Sequence, residues 1–302
     1  MSQAIVPNVP NVPKVPKVPK VPKVPKVPKV PKVPIALPAA TLTLVRDGVS
    51  GPEVLMMQRN LKSKFVPGAY IFPGGALDKE DDAPELQALC AGLPAAEASR
   101  MLGIPGGGLA YWAAAIRESF EEAGVLVAYD GEKRVIALDD PAQAEKFRRH
   151  RHVLNAGERS FIDIMRDEGL ILAADQLVYF SHWITPVSAP RRYDTRFFIA
   201  AAPPAQEPLH DNHETISHLW VRPAEALDRH RNDQFSMRLP TIRTLEELAA
   251  YDSVTTLLHA MRHKKDIDAH LPRLNRDGRY LVPGDAGYDE TQSVEQQGLW
   301  KL

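Results

Sequence analysis

The chain has 302 residues, 44% hydrophobic and 25% charged, a balance ordinary for a globular protein. Its formal net charge is −1, but residues 1–34 hold seven lysines and no acid, which leaves the remainder at −8. An acidic body argues against a nucleic-acid-binding surface there and fits anionic substrates held through divalent metal.

The single Cys90 excludes an intrachain disulfide and any cysteine-based zinc site, and suits a reducing cytoplasm. No apolar run reaches the roughly 18 residues of a membrane span, and the N-terminus lacks the apolar core of a secretory signal. Trp300-Lys301-Leu302 reads as a plain terminus, because Trp stands where a peroxisomal address needs a small residue. A cytoplasmic protein is expected.

Residues 1–34 repeat Val-Pro-Lys, with Pro at every third position from Pro7 to Pro34. Proline removes backbone donors and fixes φ, so an extended polyproline tail is expected, solvated by its lysines. A membrane-surface or partner-binding arm is the other reading. The folded part starts near Ile35. Thr41–Val45 and Val54–Met57 read as a hairpin turning at Asp47-Gly48, and Ala69–Phe72 as a short strand ending at Pro73-Gly74-Gly75. Residues 83–102 are helical in part, interrupted at Gly92-Leu93-Pro94, and Gly103–Gly108 is a connector. A helix runs from about Leu109 to Ala123 and closes on Gly124, after which Val125–Val127 restarts a strand.

Residues 141–169 are charged and helical in pattern. Leu177–Ile184, Arg192–Ala200 and Leu219–Val221 are rich in aromatic and β-branched residues and read as strands. A helix opens at Pro223, and another is expected from about Leu239 to Met261; the last stretch is irregular. Strands and helices mix without regular alternation, which predicts an α/β layered domain on a mixed sheet. The expected organisation is a tail over 1–34, one domain over 35–265 and a C-terminal extension over 266–302.

The chemistry lies on the helix after Leu109. At about 100° per residue, with Arg117 at zero, Glu118, Glu121 and Glu122 fall near 100°, 40° and 140°. The three carboxylates share one face, while Trp112, Ala113, Ile116, Phe120 and Ala123 form an apolar stripe opposite. Crowded carboxylates repel, and a hard cation such as Mg²⁺ or Mn²⁺ removes that penalty. Arg117 lies four residues before Glu121 and can brace it.

This segment resembles the Nudix box, G-x5-E-x7-R-E-U-x-E-E-x-G-U, with U a bulky aliphatic. Arg117, Glu118, Glu121, Glu122, Gly124 and Val125 match its helical half, and Gly75 of Phe72-Pro73-Gly74-Gly75 fits its opening glycine. Trp183-Ile184-Thr185-Pro186, the run Arg191–Phe198 and Leu219-Trp220-Val221 add to the likeness. The resemblance implies a Nudix-type α/β/α sandwich and a metal-dependent enzyme. Glu121 and Glu122 would be the principal metal ligands, and Glu118 a further ligand or a water-activating base. Gly74 and Gly75 would border the substrate.

Two departures stand out. Ser119 replaces the aliphatic U. Counting from Gly75 places Asp81 at the first acid, yet Arg117 follows 36 residues later instead of 8, an insertion of 28 over about 82–109. Glu80, Asp81 and Asp82 are the candidates for that first acid. A split box is similar to that of a Nudix subgroup containing peroxisomal coenzyme A diphosphatases. Coenzyme A members also carry an arginine motif before Phe-Pro-Gly-Gly; here Gly68 matches its glycine and Lys64 replaces its arginine.

The resemblance therefore implies hydrolysis of a small-molecule nucleoside diphosphate derivative, coenzyme A or acyl-CoA first. ADP-ribose or NADH is the alternative, and a non-catalytic ligand sensor the remote one. Relatives are often dimers, so a homodimer is possible. Arg192 and Arg196 are candidates for grounding a phosphate, with a strand-edge ion pair as the plain alternative. Glu214 precedes the Trp220 strand, where some Nudix enzymes keep a catalytic base. The His259/His263 pair lacks the glutamate of a zinc protease, His210, His213 and His218 have no metal spacing, and Phe147–His152 reads as a solvated basic face.

Overall fold

Residues 34–63, 66–211 and 213–291 are described by the computed structural model. The repeat tail before Pro34, Lys64 and the Trp300–Leu302 terminus lie outside them.

The N-terminal hairpin joins β1 (Ala36–Gly48) to β2 (Gly51–Arg59). Its turn is Val49-Ser50, two residues beyond the expected Asp47-Gly48, because Gly51 at φ +116° supplies the unusual backbone conformation. Asp47 instead accepts a 2.9 Å hydrogen bond from the Val254 N–H, tying the hairpin to a later helix. Two short strands follow, β3 (Tyr70–Ile71) and β4 (Gly74–Ala76). A 3₁₀ turn (Lys79–Asp82) comes next, and the insert then holds α1 (Pro84–Gln87) and α2 (Ala95–Leu102).

Helix α3 (Leu109–Ala123) ends at Gly124, in the left-handed conformation at φ +70°. It leads to β5 (Ala128–Tyr129), α4 (Pro141–Asn155), α5 (Phe161–Asp167), β6 (Ile171–Leu172), β7 (Val178–Ile184), β8 (Arg192–Ala201) and β9 (Thr215–Val221). Helices α6 (Pro223–Arg231), α7 (Leu239–Leu248) and α8 (Val254–Arg262) come next. The chain closes with β10 (Ala269–His270), β11 (Arg273–Leu274) and β12 (Tyr280–Leu281).

The main sheet runs β10-β7-β8-β1-β2-β3, with β4 on β1 and β9 on β2. β1 lies parallel to β8 and antiparallel to β2, so the sheet is mixed as expected. One face, through Leu42, Leu44, Leu55 and Phe198, packs on Trp112, Ile116 and Phe120 of α3 and on the insert and α5. The other, through Val45, Val54, Met56, Phe180 and Ile199, packs on Phe235, on Leu227 of α6, Leu245 and Leu248 of α7, and Leu257 of α8. Helices therefore cover both faces in an α/β/α sandwich. Among the described residues no helix is long and apolar enough to cross a membrane.

Three expectations fail locally. Val125–Val127 is not a strand: the buried Gln206 side chain bonds Leu126 N–H (2.8 Å) and Leu126 C=O (3.0 Å), doing what a ladder neighbour would do. The helix expected over Leu239–Met261 is two helices, because Ser253 caps α8 by accepting from Thr256 N–H. The domain edge expected at 265 is crossed, since β10 pairs with β7 in the main sheet.

Candidate active site

The insert leaves the loop half of the split motif and rejoins it at the helical half, on α3. Asp81, fully buried, meets Arg117 in a two-pronged pair: Arg117 Nε donates to Oδ1 and Nη2 to Oδ2, each at 2.9 Å. Of the three candidate acids, Asp81 is thus the one that rejoins the motif. The insert is anchored by Leu86, Ala98 and Leu102 in the core that holds α3, and Ser99 Oγ accepts from Gly108 N–H at its exit.

Arg117 is the hub of the site. Its Nη1 donates to Glu118 Oε1 (2.9 Å) and Glu121 Oε2 (3.0 Å), and its Nη2 to the Ala76 carbonyl (3.1 Å). Burial pulls its pKa down, but the Asp81 hydrogen bond and the charges of Glu118, Asp81 and Glu121 outweigh that and hold it above the usual range. The brace expected for Glu121 therefore reaches two further acids.

The glutamates share the helix face but not one environment. Glu122 is buried and accepts from Gly74 N–H at 3.0 Å; burial, then Glu118's charge, pushes its pKa well above the carboxylate range. Glu118 is raised to about 7 by burial, with Glu121's charge adding and Arg117 opposing. Glu121 is raised chiefly by burial. Gly75 lies against them: a Cβ there would lie 2.6 Å from Glu118 Oε1, so the Glu118 carboxylate would have to move. Ser119, where an aliphatic was expected, is fully buried and donates to Val125 C=O at 2.9 Å, fixing the turn after the helix.

A cleft of about 870 Å³ opens beside this cluster. Gly74, Gly75, Glu118, Glu122 and Glu214 line it, and Glu121 does not. Glu214 is placed by its loop: Asp211 accepts from the N–H groups of His213, Glu214 and Thr215, and Asn60 N–H donates to Glu214 C=O at 2.8 Å. Those backbone donors hold the Asp211 pKa low despite partial burial.

Neither Arg192 nor Arg196 lines the cleft. Strand alternation puts Tyr193, Thr195 and Phe197 on the cleft side and the even-numbered residues on the other. Arg192 donates to the carbonyls of Thr185 (3.0 Å) and Pro34 (2.8 Å), clasping the first described residue. Arg196 is buried 3.9 Å from Asp194, with Tyr111 at 5.8 Å. Among the described residues, the cations that do line the cleft are Arg59, Arg191 and Arg238. An arginine at a strand end looks solvated in sequence, so only strand parity could have picked Arg191 over its neighbour.

The basic run 147–152 is not a solvated face throughout. Arg151 is buried and donates to the carbonyls of Glu121 (2.8 Å), Glu122 (2.6 Å) and Leu209 (2.6 Å). A cation on the last carbonyls of α3 opposes the negative end of the helix dipole and fixes the turn that carries two glutamates. We expect Arg151→Met to lose about 3 kcal/mol of stability, since charge-assisted bonds to buried carbonyls go unmade. Urea denaturation checks this, and Arg151→Lys should not rescue it, because one ammonium cannot reach three carbonyls in a fork.

As the side chains stand, no group of three or more Asp, Glu, His or Cys residues among the described residues converges so as to hold a metal ion. Glu118 and Glu121 are each turned through one oxygen onto Arg117 Nη1, which leaves the second oxygen of each outside that contact. The donor set is nonetheless that of a hard divalent cation: only oxygen, more negative charge than Arg117 offsets, and burial that penalises every carboxylate. Gly75, whose Cβ would fill the space beside Glu118, keeps the ground open.

A sandwich around a mixed sheet, with a glycine-bordered Arg-Glu helix facing a cleft, defines a Nudix hydrolase. Within that class the profile of the NUDT19 Nudix domain matches residues 94–248, half of the chain, and the protein belongs to that family. The chain is 28% identical to the chicken acyl-coenzyme A diphosphatase NUDT19, over 79% of its own length and 73% of the relative's. It is also 28% identical to the human protein of that name, over 80% and 73%. Among solved structures it is similar to a Nudix hydrolase from Alicyclobacillus acidocaldarius, with a TM-score of 0.59, 26% identity, and coverage of 78% of this chain and 98% of that one.

Proposed function

We propose that the protein hydrolyses the diphosphate of coenzyme A and acyl-CoA, giving adenosine 3′,5′-bisphosphate and the (acyl-)phosphopantetheine. The observation that carries this reading is the Arg117 hub, which gathers Asp81, Glu118 and Glu121 beside a cleft bordered by Gly74 and Gly75. The names of the chicken and human relatives support the substrate.

Nudix hydrolases as a family use divalent metal ions. Mg²⁺ or Mn²⁺ held by Glu118, Glu121 and Glu122 would supply positive charge against the diphosphate and favour loss of a proton from water. Arg117 and Arg151 hold the three glutamates in place from below and behind. Arg59, in the cleft and close enough to Glu122 to offset its charge, grounds a phosphate oxygen. Glu214 lines the cleft untied to Arg117 and accepts the proton of the attacking water. The water oxygen bonds to one phosphorus, the bridging P–O bond breaks, and the bridging oxygen leaves with the other phosphate.

Steady-state comparison of CoA, acyl-CoA, ADP-ribose and NADH with each metal tests the substrate. The expected result is a kcat/KM for CoA compounds at least about 10-fold above the others, since the site must favour them by about 1.4 kcal/mol or more. A preference for ADP-ribose or NADH would replace this substrate while leaving the chemistry.

A further inference from the structure

The cleft has a second half that the diphosphate chemistry leaves unused. Beyond the carboxylates it is walled by Trp183, Ile184 and Pro186 from the end of β7, and by Pro272 and Tyr280 from the C-terminal segment. The segment expected to be an irregular extension therefore builds part of the active cleft.

Its geometry is fixed at both roots. β10 seats it on the edge of the main sheet beside β7, with Ala269 opposite His182 and His270 opposite Trp183. β11 and β12 pair as a small antiparallel ribbon, and Val282, just past it, is buried in the core under α7 and α8. Tyr288 Oη donates to Leu271 C=O at 2.8 Å, and the Arg273 guanidinium lies 4.1 Å from the Tyr288 ring centre. Tyr280 is the part that is not packed away: 47% of its surface stays exposed although it is a large aromatic on the cleft wall.

The sheet sets the distance between the two halves. Gly74 and Gly75 lie on β4, which pairs with β1; β1 pairs with β8, and β8 with β7. Three strand spacings separate the glycines from the Trp183–Ile184 wall, roughly 14 Å. A ligand cut at the carboxylates that also meets this wall must carry a long arm ending in an apolar group.

Resting on the coenzyme A reading above, we propose that the wall formed by Tyr280 and Pro272 with Ile184 and Pro186 receives the acyl end of the thioester arm, making Tyr280 a specificity-determining residue. The apolar chain gains by leaving water for this wall, whereas the free thiol of CoA offers little to bury. The wall is continuous with the acidic end of the cleft, so no separate occupant is required. Tyr280 touches only the remote end of the substrate and takes no part in bond breaking.

The test compares kcat/KM for dodecanoyl-CoA and free CoA in wild type, Tyr280→Ala and Tyr280→Leu, with melting temperatures alongside. Tyr280→Ala should lower the dodecanoyl-to-free ratio about 10-fold, as losing an aromatic contact of about 1.5 kcal/mol requires, and leave free CoA within about twofold. Tyr280→Leu, which keeps an apolar surface, should restore most of the ratio. A wild-type enzyme that turns over CoA compounds with a ratio unmoved by Tyr280→Ala overturns this inference and leaves the function standing. A wild type that cleaves no CoA compound overturns both.

Discussion

Glu122→Gln should lower kcat by about 10³-fold, on the scale of removing a preorganised charged group from an active site, while the metal-free protein melts no lower than wild type at pH 8. Glutamine can still accept from Gly74 N–H, so the 3.0 Å contact that seats the side chain survives. What is lost is a negative oxygen, and that charge is costly to the fold because the residue is buried beside Glu118.

The same logic gives a pH dependence. Burial, and then the charge of Glu121, raise the Glu118 carboxyl to about 7 in the folded protein from an ordinary value of 4.5, more than Arg117 lowers it. Between those values the folded state holds a proton that the unfolded chain has released. Stability from this group is complete below pH 4.5 and lost as pH rises to about 7. Melting of the metal-free protein should therefore fall across that window, and Glu118→Gln should flatten the fall. A melting temperature of wild type independent of pH there, or an unimpaired Glu122→Gln, contradicts the account.

Arg117→Met should destabilise the protein by about 3–5 kcal/mol, the usual consequence of stranding a buried charge. Asp81 is fully buried, and this guanidinium donates to both of its carboxylate oxygens at 2.9 Å each, with the Asp78 N–H as a further donor to Oδ2 at 2.7 Å. Glu118 and Glu121 lose their shared donor at the same time. The double variant Arg117→Met/Asp81→Asn should be less destabilised than the two single effects added together, because the second change removes the charge the first one strands. Chemical denaturation at pH 8 measures both. Strict additivity, or a loss under about 1 kcal/mol for Arg117→Met, would show that the pair does not tie the insert to α3.

Much of the site was legible because its signals are local. Spacing along one helix placed Arg117, Glu118, Glu121 and Glu122 together, and Gly124 closed that helix where expected, at φ +70°. The choice among Glu80, Asp81 and Asp82 was not legible, since it depends on how the insert folds back against α3. In the structure Asp81 is the one of the three that pairs with Arg117, through a contact spanning 36 residues. Arg151 was misread for the same reason: its three carbonyl partners belong to α3 and to Leu209, distant in sequence.

Strand alternation explains why Arg191 lines the cleft while Arg192 and Arg196 do not. The strand was correctly expected, but which face turns to the cleft is decided by the pairing of β8 with β1, a nonlocal contact. The missed break in the last helical stretch has a local cause, the Ser253 cap, which apolar periodicity masked. The C-terminal strand β10 is two residues long and has no sequence signal apart from its partner β7.

The central claim is that carboxylates of α3 direct water at a diphosphate with the help of a divalent cation. Mass spectrometry of the products formed from CoA in ¹⁸O-water tests it most directly. With Mg²⁺ or Mn²⁺ the account predicts equal amounts of adenosine 3′,5′-bisphosphate and phosphopantetheine, a single ¹⁸O per turnover on one of the two new phosphates, and no turnover after chelation. Products cut anywhere other than the diphosphate, or cleavage that persists in chelator and in Glu122→Gln, would contradict it.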